Sequence, residues 1–257
     1  MDPNRNHEYL YGVNPVYSLI IKNAGNRKIY QVLVSKSRIK DPRIISILTE
    51  ADKKNIEIVE VDPVQFEKIS SEDFNPQGIC ARVSPYNYND LEVYLNKETG
   101  DKSKLIILDG ITDVGNFGSI IRNCNAFGFE GIIIPDRRSV ALNERVSKIS
   151  AGALEEVKIF RVVNIVRTLK ELKNKGFWVY GTTLDTTPEV KYLDEVDFTF
   201  PLVLVLGSED RGIGRLVSAN CDIMISIKLT GRMQSLNVSV ASGIILYKVQ
   251  EQIERTK

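Results

Sequence analysis

Three stretches of this 257-residue chain combine glycine with side chains able to hold a ligand. In LDGITDVGNFGSIIRN, Gly115 and Gly118 bracket Asn116, and Arg122 follows one turn into the next helix. In LVLGSEDRGIG, Glu209 and Arg211 stand between Gly207 and Gly212. In LTGRMQSLNVSVASGIILYKV, Gly231, Arg232, Gln234, Ser235 and Asn237 precede apolar residues at Val238, Ala241, Ile245 and Val249, the spacing of a core-facing helix. Glycine lets a backbone approach a bound molecule closely, and the amide, hydroxyl and charged groups supply hydrogen bonds that orient it. Each stretch also has a plainer reading: the glycines of a strand-to-helix turn, a solvated loop pair, and a Ser or Asn helix cap.

Composition removes several other chemistries. His7 is the only histidine, so a multi-histidine metal site is excluded and a serine hydrolase triad has no imidazole near an elbow motif. Cys80, Cys124 and Cys221 lie far apart without CxxC or Cys/His spacing, as expected of reduced thiols in a cytosolic protein that holds no metal. Glycines at 110, 115 and 118 do not have the dinucleotide spacing, and no GKS or GKT ending marks a Walker A loop. Lys plus Arg number 34 against 33 acidic residues, so any nucleic-acid surface is local rather than global. The start MDPNRNHEYLYG lacks the pattern of a signal peptide, and no run approaches the ~18 apolar residues of a membrane span. A cytoplasmic protein without a membrane partner is expected.

The elements that must position these groups alternate along the chain. With 43% apolar and 26% charged residues there is room for one large or two small domains. Residues 1–84 read as a small α/β domain: YGVNPVYSLI as turn and helix, YQVLVS and IEIVEV as strands, PRIISILTEADKKN as a helix, with PVQFEKIS and GICARVS continuing the alternation. Residues 85–104, polar and containing Pro85 and Gly100, read as a linker with a short helix near Leu91 to Leu95. From residue 105 to 257, KLIILDG, EGIIIP, VKIFRV, FWVYGTT, FPLVLVLGSE and DIMISIKL read as buried strands. The helices GSIIRNCNAFG, NERVSKISAGAL and NIVRTLKELKNKG lie between them, predicting a parallel sheet covered on both faces. Ligands of such sheets gather beyond the carboxyl ends of the strands, where all three glycine-and-polar stretches fall.

Taken together and in order, Asn116-x-Gly118-x-x-x-Arg122, Gly207-x-Glu209-x-x-Gly212 and Ser235-Leu236-Asn237-Val238-Ser239-x-Ala241 resemble the three motifs of the SpoU (TrmH-type) branch of the SPOUT RNA methyltransferases. YLYGVNPVYSLI and NPQGICARV resemble the small substrate-binding domain of that family, and KISAGALEEVKIFRV a further family segment. The two-domain form is most similar to bacterial 23S rRNA guanosine 2'-O-methyltransferases. The resemblance implies an α/β fold whose parallel sheet carries a deep C-terminal trefoil knot, a homodimer, and S-adenosylmethionine as cofactor. Carried over by position, it implies Thr182, Thr183, Gly207, Ile227, Leu229 and Leu236 for the cofactor, and Asn116, Arg122, Glu209, Ser235 and Asn237 for catalysis and positioning of the substrate. Two residues depart from the family pattern: Asn123 stands where threonine is frequent, and Lys228 where proline is common.

The implied reaction transfers a methyl group to a ribose 2'-oxygen, and most of its acceleration comes from in-line positioning. An arginine side chain with a pKa above ~12 is a poor base, which favours Arg122 as a phosphate holder or alkoxide stabiliser. The RNA substrate presents an unpaired nucleotide, and Arg137, Arg138, Arg145 and Lys148 form a local basic cluster able to track phosphates. Two other readings share these residues: a tRNA guanosine 2'-O-methyltransferase, and a non-catalytic RNA-binding protein with a methyltransferase-like domain.

Overall fold

In the computed structural model, which describes residues 7–22, 25–69, 77–185 and 187–255, the chain divides into two units. Asn75 and Pro76 of the segment NPQGICARV lie outside the described residues.

The first unit carries strands β1 (Glu8–Tyr11), β2 (Ile29–Ser35), β3 (Glu57–Val61) and β4 (Ile79–Val83) in the order β1-β4-β2-β3, with only β2 and β3 parallel. Strand alternation sends Val32, Val34, Ile79, Ala81 and Val83 into one core with α1 (Val13–Tyr17), its π-helical continuation Ser18–Lys22, and α2 (Pro42–Lys53). Helix α2 begins with Pro42 at its first position and the Asp41 side chain accepting the Arg43 N–H at 3.0 Å. On the other face, α3 (Pro63–Ile69) packs Phe66 against Tyr11, Leu33, Val61 and Cys80. Strand β1 is not evident from the sequence: four residues are too few for a clear alternation, and antiparallel pairing with β4 is what makes EYLY a strand.

The second unit is built on seven parallel strands in the order β7-β6-β5-β10-β8-β11-β9. They are β5 (Lys104–Asp109), β6 (Gly131–Pro135), β7 (Lys158–Val162), β8 (Trp178–Thr182), β9 (Val190–Tyr192), β10 (Leu202–Gly207) and β11 (Ile223–Ser226). Leu105 to Leu108 and Leu202 to Leu206 are at most 1% exposed, so β5 and β10 form the buried centre. Helices α4 (Leu91–Lys97), α5 (Val114–Ala126), α7 (Ile165–Asn174), α8 (Arg215–Ser218) and α9 (Val238–Arg255) belong to this unit. The segment expected as a linker is therefore part of a core: Tyr94 and Leu95 of α4 pack with Leu105 and Phe160, because two apolar side chains sit inside an otherwise polar stretch. The buried ammonium of Lys104 donates to Phe127 O at 2.9 Å and to Gln250 Oε1 at 2.8 Å, tying α9 to the start of β5.

Residues 141–156, expected within the C-terminal domain, instead belong to the first unit. They form α6 (Glu144–Ile149) and a 3-10 turn, Ala153–Glu155. The buried guanidinium of Arg27 holds them, pairing with Glu155 at 3.3 Å and with Glu8 at 2.6 Å, while Ser18 donates to Glu156 at 2.8 Å. Gly152, at φ +90°, lies so close to α1 that a Cβ would stand 2.8 Å from Asn14 O. Burial raises the Glu155 carboxyl above its ordinary value, against the lowering influence of Arg27.

Replacing Arg27 by Met strands that buried carboxylate, and an unfolding loss of about 3–5 kcal/mol is expected in urea titrations at neutral pH. A carboxyl raised in the folded state contributes stability present below its unfolded pKa and lost as pH rises through the folded pKa. The deficit of Arg27→Met therefore shrinks as the pH is lowered through that window.

Candidate active site

The strand order reverses between β5 and β10, since the chain runs from β5 to one side through β6 and β7, and to the other through β8. The carboxyl ends of β5 and β10 thus form the crevice where open parallel sheets take ligands. The residues there are Asp109, Gly110, Gly207 and Ser208.

After β10 the backbone folds back on itself. Gly212 N–H donates to Ser208 O at 2.8 Å, and a Cβ on Gly207 would stand 2.1 Å from the Gly212 carbonyl carbon and 2.3 Å from Ile213 N. Only glycine fits at 207. Gly212 adopts φ +62°, and Asp109 Oδ2 accepts the Gly214 N–H at 2.8 Å, pinning the far side of the loop to the end of β5.

This fold-back aims Glu209 at two helix starts. Its Oε1 accepts from Asn116 Nδ2 at 2.9 Å, Asn237 Nδ2 at 2.7 Å and Val238 N–H at 3.3 Å, and Asn237 Nδ2 also donates to Asn116 Oδ1 at 2.9 Å. Asn237 Oδ1 accepts from Ser239 N–H at 3.0 Å, so Asn237 starts α9 and joins the polar triangle at once. Asp113 caps α5 by accepting the Asn116 N–H at 2.7 Å. Gly115 and Gly118 lie in the first turns of that helix rather than in the strand-to-helix turn, which uses Gly110 at φ +77°. Asn123 bridges α5 to α9 through Ser239 O at 2.9 Å and Ser242 Oγ at 2.8 Å. Lys228 sits over the Tyr192 ring, 5.5 Å from its centre.

Two clefts meet at the Ser208–Gly212 loop. One, of about 640 Å³, is lined by Thr182, Thr183, Gly207, Ile227, Leu229 and Leu236, all six residues expected to hold the cofactor, and also by Ser235. Thr182 Oγ1 donates to Val205 O at 3.1 Å and Thr183 Oγ1 accepts the Asp185 N–H at 3.1 Å, so both hydroxyls are fixed by the backbone. Ser235 is exposed and makes no hydrogen bond among the described residues, which leaves Asn237 as the cap of α9. The second cleft, about 750 Å³, is lined by Asp109, Asp113, Asn116, Arg137, Arg138 and Arg211 among others, with Glu209 on the wall shared with the first.

Not every expected residue converges here. Arg122 is exposed on α5, lines neither cleft and has no hydrogen bond or ion pair among the described residues. The four basic residues expected as one cluster divide between the units: Arg137 and Arg138 belong to the second, Arg145 and Lys148 on α6 to the first, because the chain leaves the second unit after Val140. Asp109, Asp185 and Arg215 line the clefts without having been singled out as site residues, although Asp109 and Asp185 follow strand ends closely enough for the crevice rule to find them.

The first cleft suits a small molecule of mixed polarity: apolar side chains from β11, the following loop and α9 face backbone groups and hydroxyls at the ends of β8 and β10. Gly207→Ala is expected to displace the loop, lowering stability by about 1–3 kcal/mol in urea titration and abolishing binding in the first cleft by calorimetry.

The SpoU rRNA methylase family model matches residues 103–247, and the model for RNA 2'-O ribose methyltransferase substrate binding matches residues 9–89. A relative named for the TrmH family of tRNA/rRNA methyltransferases, YacO of Bacillus subtilis strain 168, is 35% identical over 248 residues, 96% of either chain. The SpoU methyltransferase AviRb from Streptomyces viridochromogenes, solved in complex with AdoMet, has a TM-score of 0.76 at 22% identity over 97% of this chain and 91% of that one, a likeness of fold. The A. aeolicus TrmH/SpoU tRNA modifying enzyme is 35% identical with a TM-score of 0.55, covering 65% of this chain and 85% of its own.

Proposed function

This chain belongs to the SpoU methylase family of RNA methyltransferases, and on that premise we propose that it transfers a methyl group from S-adenosylmethionine to the ribose 2'-oxygen of a guanosine in 23S rRNA. The observation that carries the reading is the joining of the three motifs through Glu209 Oε1, at the wall shared by a cleft lined by all six expected cofactor residues and a cleft lined by Arg137 and Arg138. In support of rRNA over tRNA, the tRNA-modifying relative covers only 65% of this chain, whereas the substrate-binding family model matches 9–89.

Thr182, Thr183, Gly207, Ile227, Leu229 and Leu236 hold the cofactor, with the closeness of backbone at Gly207 forming the floor of its seat. When bound there, S-adenosylmethionine supplies an electrophilic methyl on a sulfonium. Asn116, Glu209 and Asn237 keep the wall between cofactor and nucleotide rigid, and Ser235 stands ready to hydrogen-bond the incoming ribose. Arg137 and Arg138 face the nucleotide cleft and hold its phosphates. No protein group forms a covalent bond and no metal enters the scheme: as the 2'-oxygen takes the methyl, the sulfur leaves as the neutral thioether and the hydroxyl proton passes to solvent.

Arg122 completes the site in a homodimer. Helix α9 exposes Val240, Ile244 and Tyr247 along one side, and Asn123, next to Arg122, packs α5 against this same helix. A second copy covers that stripe and brings a guanidinium to the developing alkoxide or its neighbouring phosphate. The C-terminal strands and α9 carry the trefoil knot of the family.

Labelled S-adenosylmethionine, supplied with total RNA from cells lacking the protein, should mark one guanosine of large-subunit rRNA as its 2'-O-methyl derivative. Label in tRNA would transfer the assignment to tRNA, and absence of transfer with any RNA would overturn the enzyme reading. Arg122→Ala should lower turnover by about 100-fold or more while leaving the cofactor dissociation constant unchanged in calorimetry.

A further inference from the structure

Among the described residues, the sheet of the first unit packs α1 and α2 on one face and α3 on the other. Phe66 of α3 covers Tyr11, Leu33, Val61 and Cys80. Beyond it, in the next row of the same face, Tyr9 pairs directly with Arg82, and Arg82 with Gln31. The β2–β4 register skips at Tyr30, between Ile29 and Gln31, and such a bulge re-aims its side chain. The ring of Tyr30 lies beneath two cations, with Arg82 Cζ 5.7 Å and Lys28 Nζ 5.6 Å from its centre. Tyr9 stacks on Tyr11 at 6.2 Å and 25°, and His7 meets Tyr9 edge-on at 5.6 Å.

Among the described residues no carboxylate neutralises the cations of this row. Among the described residues neither Lys28 nor Arg82 has an ion pair, and the buried Nε of Arg82 meets no acceptor, so an aromatic face rather than a carboxylate holds the guanidinium. The one carboxylate in the row is the exposed Glu57, opposite Gln31 at the β3 edge. Aromatic faces interleaved with unpaired cations suit a strand whose bases are free to stack and whose phosphates need neutralising. A duplex keeps its bases stacked internally and offers the rings nothing.

We propose that the row Tyr9, Arg82 and Tyr30, flanked by Lys28, is a stacking platform for unpaired RNA, seating bases of the substrate outside the methyl-transfer site. It rests on the reading that the chain acts on RNA. The platform binds without sequence preference, because every base has a stacking face, and supplies affinity for single-stranded regions of the target.

The test uses the full chain and fluorescein-labelled oligo(U) and oligo(A) of about 12 nucleotides, with an RNA duplex of the same length, followed by anisotropy at fixed salt. Tyr9→Ala and Tyr30→Ala should each weaken single-strand binding about 5- to 100-fold, with Tyr30→Phe close to the parent and duplex binding unchanged. Lys28→Ala should reduce the salt dependence of binding. Single-strand affinity unaltered in both alanine variants would overturn the platform, as would an equal loss for single strand and duplex. Methyl transfer is measured separately. Transfer to RNA with unaltered single-strand binding in the variants sinks the platform alone, whereas ring-dependent binding without transfer to any RNA sinks the proposed reaction and leaves the platform standing.

Discussion

Position 207 cannot carry a side chain, and much of the site follows from that. Because a Cβ there would overlap the Gly212 carbonyl, strand and loop run in contact, with the Ser208–Gly212 loop wedged across the mouth of the sheet. The loop is the common wall of two clefts, one lined by the residues expected to hold the cofactor and the other by Asp109, Asp113, Arg137 and Arg138. Loosening the contact by the width of one methyl group would move both walls together.

The same wedge delivers Glu209 to the ends of two helices. A carboxylate accepting from Asn116, Asn237 and the first amide of α9 meets the partial positive charge of an 18-residue helix, so hydrogen bonding and helix dipole act in the same sense. Asn123 then continues the link from α5 to α9 by bonding Ser239 and Ser242. The threonine frequent in the family at this point has no amide to donate, and in this chain the amide reaches two acceptors. Motif residues on three separate segments are thus aligned by secondary structure as well as by one another.

Much of this was legible in advance. Near-continuous apolar runs such as KLIILDG and FPLVLVLGSE can hardly be anything but buried parallel strands, and their glycine-bearing ends mark the crevice. The grouping of Asn116, Glu209 and Asn237 is implied by the resemblance of three spaced motifs to a family, each motif being weak by its residue types alone. What could not be read depended on distant partners. Strand β1 exists by pairing with β4, and the three-residue β9 by pairing with β11. Tyr94 and Leu95 look like part of a polar linker until Phe160, far along the chain, is brought against them. Gly115 and Gly118 suggest a turn by residue type, whereas the Asp113 cap that places them inside the helix is a matter of geometry. Arg122, legible as a motif residue, has no partner among the described residues, and adjacency in sequence gave no sign that Arg145 and Lys148 would be carried off with the first unit.

The return of residues 141–156 to the first unit bears on the order in which the protein can be assembled on a ribosome. Residues 88–140 must be synthesised before the Arg27 guanidinium can meet Glu155, so the amino-terminal unit emerges with Arg27 paired to Glu8 and its second carboxylate still to come. At roughly 5–20 residues per second that wait lasts several seconds, long compared with the folding of a small domain. The apolar clusters around the sheet of the first unit lie within residues 9–83, and the contacts of residues 141–156 are added only after strands β5 and β6, which are made in the interval. A domain that reads as a separable amino-terminal cassette is, in the history of each molecule, finished from the middle of the chain.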